Sequence, residues 1–343
     1  MSRRRRKLRV LVLVHASLVP PDSLAGVSEE DYLTFKTEFD VCATLREMGH
    51  TVSPLGVSSD LAVIKEAVDR FKPDIAFNLL EEFDGVGVFD AHVVSYLELL
   101  RLPYTGCNPR GLMLAHDKAL SKMVLRYHRI NVPRFHVFPM GRKVRKPPRL
   151  AYPMLVKSLT EEGSVGISQA SIVHDDEKLA ERVAFVHRQV NTHAIAEQYI
   201  DGRELYVGML GNERLQTLPT WELLFPKLRE GAPRIATGKV KWDHKYQAKI
   251  GLVSGQARDL PDDLEPRLPH LCKRIYRALS LSGYARLDLR LAPDDRVYLI
   301  EANPNPQLAY GEDLAESAHA AGLPYDGLLQ KLLNLGMGYR VSS

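Results

Sequence analysis

Cysteine is scarce in this chain: Cys42, Cys107 and Cys272 are the only three in 343 residues, scattered and odd in number. That excludes a disulfide framework and a zinc set built on cysteine spacing, and it predicts reduced thiols in a cytoplasm. No run approaches ~20 apolar residues, which excludes a transmembrane helix and leaves no membrane role to expect. Charge of one sign is missing as well. The net charge is +4, yet Met1–Arg9 alone carries six Lys or Arg, so the body is near neutral and offers no nucleic-acid footprint. The apolar run Val10–Val14 behind that tail is too short for a secretory leader and meets His15 without a cleavage site. It reads as a first strand. The twelve histidines make no HExxH spacing, and His244 reads as a solvated loop residue. The chain has no GxxxxGK phosphate loop, and Val86–Phe89 lacks the full glycine fingerprint of a dinucleotide site.

What is present is an ordinary globular composition, 45% hydrophobic and 26% charged, in a chain long enough for two or three domains. Leu8–Val14, Thr51–Leu55 and Asp74–Leu79 read as strands, and Phe35–Met48, Asp60–Phe71 and Phe89–Leu100 as helices between and after them. Alternating strands and helices predict an open parallel sheet whose ligands sit beyond the carboxyl ends of its strands. Gly111–Arg126 reads as one helix carrying Asp117, Lys118 and Lys122. From Val132 the pattern changes to short strands around one helix, Lys178–Val190. A third region holds the loop Trp242–Gly251, a helix over Leu264–Leu279, two strands and a terminal helix whose Leu328, Leu329, Leu332 and Leu333 form a core stripe. The expected division is 1–110, 111–202 and 203–343, an α/β domain followed by two α+β subdomains. Arg142–Arg149, basic and proline-rich, reads as an exposed connector.

Chemistry concentrates in three places. Tyr284–Leu291 and Arg296–Ala302 alternate as a hairpin; antiparallel pairing puts Asp288 and Glu301 on one face, with Asn303 two residues further on the same side. Two carboxylates and an amide suit magnesium held together with nucleotide phosphates; ordinary solvated acids are the rival reading. Tyr152–Ile167 is a strand ending in Lys157 and a loop with Gly163, Ser164 and Gly166. Backbone amides there can approach phosphate because glycine has no Cβ, while a plain hairpin turn remains the alternative. Ala194–Glu204 places Glu197, Tyr199 and Glu204 where carboxylates can accept from an adenine amino group and ribose hydroxyls.

Taken together, PYTG (103–106) with Asp117 and Lys118, LVKSLTEEGSVGI, EQYIDGRE, YARLDLRL and YLIEANPNP resemble the ATP-grasp superfamily, and within it the D-alanine–D-alanine ligase group, over essentially the whole chain. The resemblance implies an ATP-grasp fold and an ADP-forming carbon–nitrogen ligase. It implies that Lys118 and Lys157 contact ATP phosphates, Lys157 also lying near the base. Glu197 and the backbone beside Tyr199 would read adenine, and Glu204 the ribose. Asp288, Glu301 and Asn303 would bind two magnesium ions, with manganese as a substitute, and Arg286 would face the transferred phosphate. A lysine closes over the phosphates in this group; Lys249 matches best, with Lys245 as rival. Small-molecule amino acid or amine substrates and a homodimer are the implied partners.

The departures bear on substrate. Where the family has a proline, glycine, methionine segment and a serine for the acceptor's carboxylate, this chain has Pro304–Leu308 and then Tyr310, Gly311, Glu312 and Asp313. An acidic pair there repels a carboxylate, pointing to an amine of another kind. Gly163 stands where a serine is usual. The family's HG…GEDG element is replaced by Asn78–Gly85, from which Glu82 is taken as the residue for a substrate ammonium; Glu81 and a carboxylate between Glu29 and Glu38 are its rivals. Ligation of D-alanine itself, a non-catalytic nucleotide-binding protein and a phosphotransferase that stops at a phosphorylated product are the competing functions.

Overall fold

The computed structural model describes residues 6–161, 166–227, 237, 240 and 243–341, the side chain of His244 excepted. The chain builds three sheets in sequence. The first is parallel, in the order β2-β1-β3, from β1 (Arg9–His15), β2 (Thr51–Val57) and β3 (Ile75–Asn78). Residues 10–14 of β1 are all buried, as the central strand of a parallel sheet covered on both faces requires. Helices α1 (Glu29–Thr34), α2 (Lys36–Glu47), α3 (Ala62–Phe71) and α4 (Asp90–Leu99) make the connections. A parallel bridge between Ala76 and Tyr104 ties the PYTG turn to this sheet.

The helix expected over Gly111–Arg126 is two helices, α5 (Pro109–His116) and α6 (Lys118–Tyr127). Asp117 breaks them: its backbone is extended, and its carboxylate accepts from the amides of Ala119 and Leu120 as the cap of α6. A short acceptor side chain satisfies the free amides of a helix start better than it tolerates a helix interior. Lys118 thereby becomes the first residue of α6. The second sheet is antiparallel, β4-β7-β5-β6, from β4 (Phe135–Phe138), β5 (Met154–Ser158), β6 (Ile172–Val173) and β7 (Ala194–Gln198), with α7 (Asp176–Phe185) on it. Its core is its own, built on Phe138, Met154, Val156, Leu179 and Val183.

The third sheet runs β10-β9-β8-β11-β12 and is antiparallel throughout: β8 (Arg203–Leu210), β9 (Gln216–Leu224), β10 (Val253–Gln256), β11 (Tyr284–Leu291) and β12 (Val297–Pro304). The expected loop after Trp242, itself outside the described residues, is a helix, α8 (His244–Ile250). Asp243 caps it through the amide of Tyr246, and Gly251 ends it in the left-handed region at φ 62°. Helices α9 (Leu264–Ala278), α10 (Asp313–Ala320) and α11 (Tyr325–Gly338) complete the chain. The leucine stripe 328, 329, 332 and 333 is buried against Val10, Val12 and Phe77, so the chain's end packs on its first sheet. Among the described residues no helix is long and apolar enough to cross a membrane.

Two close approaches lock the first sheet to the third. A Cβ on Gly283, at φ 68°, would lie 2.3 Å from the carbonyl oxygen of Gly106, so only glycine lets the PYTG turn lie against the start of β11. The side chain of Asn305 then accepts from the amide of Cys107 at 2.7 Å, fixing the end of β12.

Candidate active site

The expected hairpin forms, with Asp288 and Glu301 on one face. Asp288 pairs with Glu301 and Arg286 with Asn303, and a bulge between Asp288 and Leu289 shifts the ladder by one residue beyond that point. On the other side of β11, Arg286, Asp288 and Arg290 lie opposite Gly208, Tyr206 and Glu204. Cross-strand partners share a face, so these residues form one polar surface.

Arg286 donates to both carboxylate oxygens of Asp288, at 2.8 and 3.0 Å, and its guanidinium lies 4.6 Å from the centre of the Tyr206 ring. Burial works against the guanidinium's charge, but Asp288 outweighs it and raises the arginine's pKa further. Its remaining nitrogen is 4.0 Å from Asp313. A Cβ on Gly208 would lie 2.7 Å from both Leu218 and Leu314, so this glycine leaves room for the first turn of α10, which carries Asp313. Ser254 donates to the other oxygen of Asp313. Asn303 points its amide nitrogen toward the Arg286 carbonyl at 3.5 Å.

Lysines meet this surface from the second sheet's side. The Lys118 ammonium touches Glu301 at 2.9 Å and the Glu161 carbonyl at 2.7 Å, joining α6 to β12. Lys157, at the end of β5, lies 3.4 Å from Glu197 of β7. A third lysine, Lys122, lies one turn along α6 from Lys118; its ammonium is 3.0 Å from the same oxygen of Glu197 and donates to the Ile300 carbonyl at 2.8 Å. Glu197 is 1% exposed and Lys122 2%. Burial opposes ionisation of all three groups. The two lysines nevertheless hold the Glu197 carboxyl below its ordinary range, and Glu197 with Glu301 holds Lys157 above its own. Lys122 has less compensation and is repelled by Lys157, so burial pushes it down to about 8.

Sequence reasoning named Lys118, Lys157, Glu197, Asp288, Glu301, Asn303 and Arg286, and the structure brings these together. Glu204 is committed to Arg290 at 2.8 Å and to the Tyr206 hydroxyl at 2.9 Å. The amide of Tyr199 is used by the Pro153 carbonyl. Gly163 and Ser164 lie outside the described residues. Lys249 and its rival Lys245 sit exposed on α8, a helix rather than the expected loop. Glu82 is apart from the cluster, 41% exposed and 3.4 Å from His15 at the end of β1. Three residues were passed over. Lys122 was seen without a role, although its i, i+4 relation to Lys118 was a usable signal. Arg290 is two residues beyond Asp288 on the same face. Asp40 had no visible signal: it accepts from the Tyr32 hydroxyl at 2.7 Å and from the Tyr310 amide at 2.9 Å, which ties α2 to the segment before α10.

Two carboxylates and one amide oxygen are too few donors to enclose a hard cation, and among the described residues no group of three or more His, Cys, Asp and Glu side chains forms a metal cluster. Such a set suits magnesium whose remaining ligands are phosphate oxygens. Residues 124–334 match the family described as D-ala D-ala ligase C-terminus. The chain is 31% identical to a D-alanine–D-alanine ligase of Desulfotalea psychrophila over 91% of this chain and 92% of that one. It is likewise 31% identical to an uncharacterised protein of Sinorhizobium fredii, over 86% and 85%. The fold superposes on the D-alanine–D-alanine ligase of Bacillus anthracis solved with ATP at a TM-score of 0.74, with 24% identity and coverage of 96% and 97%. The chain therefore belongs to the D-alanine–D-alanine ligase family, amide-forming ligases of the ATP-grasp fold.

Proposed function

We propose that the protein joins a carboxylate to an amine in two stages at the surface between the second and third sheets. In the first, an oxygen of the substrate carboxylate attacks the γ-phosphorus of ATP, and ADP leaves. In the second, the amine attacks the acyl carbon of that acyl phosphate and inorganic phosphate leaves with the electrons of the broken C–O bond. Lys118 and Lys157 supply cations for the nucleotide's phosphates, and Glu197 an acceptor for the adenine amino group. Asp288, Glu301 and Asn303 would hold magnesium, which neutralises charge on the phosphoryl oxygens when bound. Arg286 is oriented by Asp288 toward the charge that builds in both steps.

The observation that carries this reading is the joint placement of Arg286, Asp288, Glu301 and Asn303 on one face, with Lys118 bonded across to Glu301. For the acceptor, Asp313 beside Arg286 disfavours an incoming carboxylate, so an amine without a carboxylate near its nitrogen is the preferred partner. The names of its relatives favour a second reading, D-alanine as both substrates. Phosphate release with magnesium and ATP, across D- and L-amino acids, their amides and simple amines, with product masses measured in parallel, separates the two. A D-alanyl dipeptide as sole product overturns the acceptor reading; ADP without free phosphate overturns the ligase chemistry.

A further inference from the structure

Lys122 is almost fully buried, yet it joins three elements. Its backbone belongs to α6, its ammonium meets the Glu197 carboxylate of β7 at 3.0 Å, and it donates to the Ile300 carbonyl of β12 at 2.8 Å. Ile300 precedes Glu301, so one cation spans the proposed adenine end and the proposed metal end of the site. Lys157 also contacts Glu197, but at 3.4 Å. A carboxylate 1% exposed stays ionised only when cations and hydrogen bonds compensate for the water it has lost. An ionised Glu197 accepts from the exocyclic amino group of adenine and repels the carbonyl oxygen that guanine carries at the equivalent position.

We infer that Lys122 is a positioning residue for nucleotide choice: held out of contact with the ligand, it fixes the Glu197 carboxylate as a charged acceptor and so selects adenine over guanine. This rests on the proposed placement of adenine at Glu197. Lys118 and Lys157 occupy different ground, since Lys118 pairs with Glu301 and Lys157 has only the longer contact to Glu197. Loss of Lys122 removes the nearer of the two cations from Glu197 and frees the β12 carbonyl beside Glu301.

The test is the dissociation constant of ADP and of GDP, each with magnesium, measured by titration calorimetry on the full chain and its variants. Lys122→Met weakens ADP about tenfold and leaves GDP nearly unchanged, so the preference for ADP shrinks by the same factor. Glu197→Gln produces the same loss of preference, and the double variant loses no more than either single one, because both changes remove one interaction. Lys122→Gln, neutral but still a donor to the Ile300 carbonyl, also loses the preference and carries the test if the methionine variant does not fold. Equal weakening of ADP and GDP in the Lys122 variants overturns the inference, because that is what a purely structural lysine would give. Unchanged binding of both overturns it too. If Glu197→Gln lowers the preference while the Lys122 variants keep it, the inference alone fails. If Glu197→Gln keeps it, the placement of adenine fails and takes the inference with it.

Discussion

The two ends of this polar surface handle charge in opposite ways. At the proposed nucleotide end, Glu197 is 1% exposed and enclosed by Lys122 and Lys157. At the proposed acceptor end, Arg286 is shared between Asp288 and an Asp313 that is 25% exposed. A buried cluster is rigid and costly to disturb, because removing one partner strands the others without water. A partly exposed cluster is better screened and more replaceable, so substitution there changes which ligand is accepted more than whether the protein folds. On the proposed placements, the difference separates what the site holds fixed, a triphosphate and its base, from what it can vary, the incoming amine.

The buried end gives the largest expected effect. Glu197→Gln leaves two enclosed lysines facing a neutral amide and lowers unfolding free energy by about 3 kcal/mol or more in urea titrations. The pH dependence follows from the lowered pKa of this carboxyl. The folded state binds its proton less readily than the unfolded chain, so its stabilisation is present above the ordinary glutamate range and is lost as pH falls through the folded value. A midpoint for the wild type that drops no faster with acid than that of Glu197→Gln would erase the contrast between the two ends.

Next in size is Asp288→Asn. It removes the charge that grips Arg286 through two bonds at 2.8 and 3.0 Å. Turnover measured by phosphate release falls about 100-fold or more, as when one preorganised charge-stabilising group is lost, while the unfolding free energy from urea titration changes by less than about 1 kcal/mol. Retained turnover would mean that the hairpin is a structural face and not a catalytic one.

Why this hairpin was readable, and its partners were not, comes down to distance along the chain. Asp288 and Glu301 lie on strands joined by a short turn, so alternation alone brings them to one face, and the bulge at Leu289 falls after the pair and leaves it intact. Arg290 meets Glu204 across 86 residues, and Lys122 reaches the Ile300 carbonyl across 178; a pattern in one segment has no access to a partner so remote. The first strand of the parallel sheet was legible for the same local reason, in the apolar run Val10–Val14, which the structure buries throughout. The break at Asp117 was misread because the periodicity of residues 111–126 continues through it. A single aspartate whose side chain competes for the next amides ends one helix and starts another. The segment expected as the loop Trp242–Gly251 is a helix over His244–Ile250, because a cap at Asp243 starts it and a left-handed Gly251 ends it.

Asp313→Ser probes the replaceable end directly. The substitution removes the negative charge 4.0 Å from Arg286 and leaves a small hydroxyl on the first turn of α10. The ratio of kcat/KM for carboxylate-bearing acceptors to that for their amides rises about tenfold, with little change in stability. A ratio that stays put would locate acceptor choice elsewhere, and Asp40, which holds the Tyr310 amide, would be the next residue to change.

Glu82 should give the smallest response. It is 41% exposed, and the His15 imidazole lies 3.4 Å from it, on the rim where the first sheet's strands end. An exposed carboxylate holding a substrate ammonium is screened by water, so Glu82→Gln raises KM for the amino acid substrate only about threefold and leaves kcat alone. The size matters less than the split. A fall in kcat would place Glu82 against the reacting atoms, and the rim would then belong with the buried end as part of the fixed machinery. No change in either constant would return Glu82 to the solvated surface and leave the ammonium to α1 or α2, where Glu38 is enclosed and its pKa raised by burial.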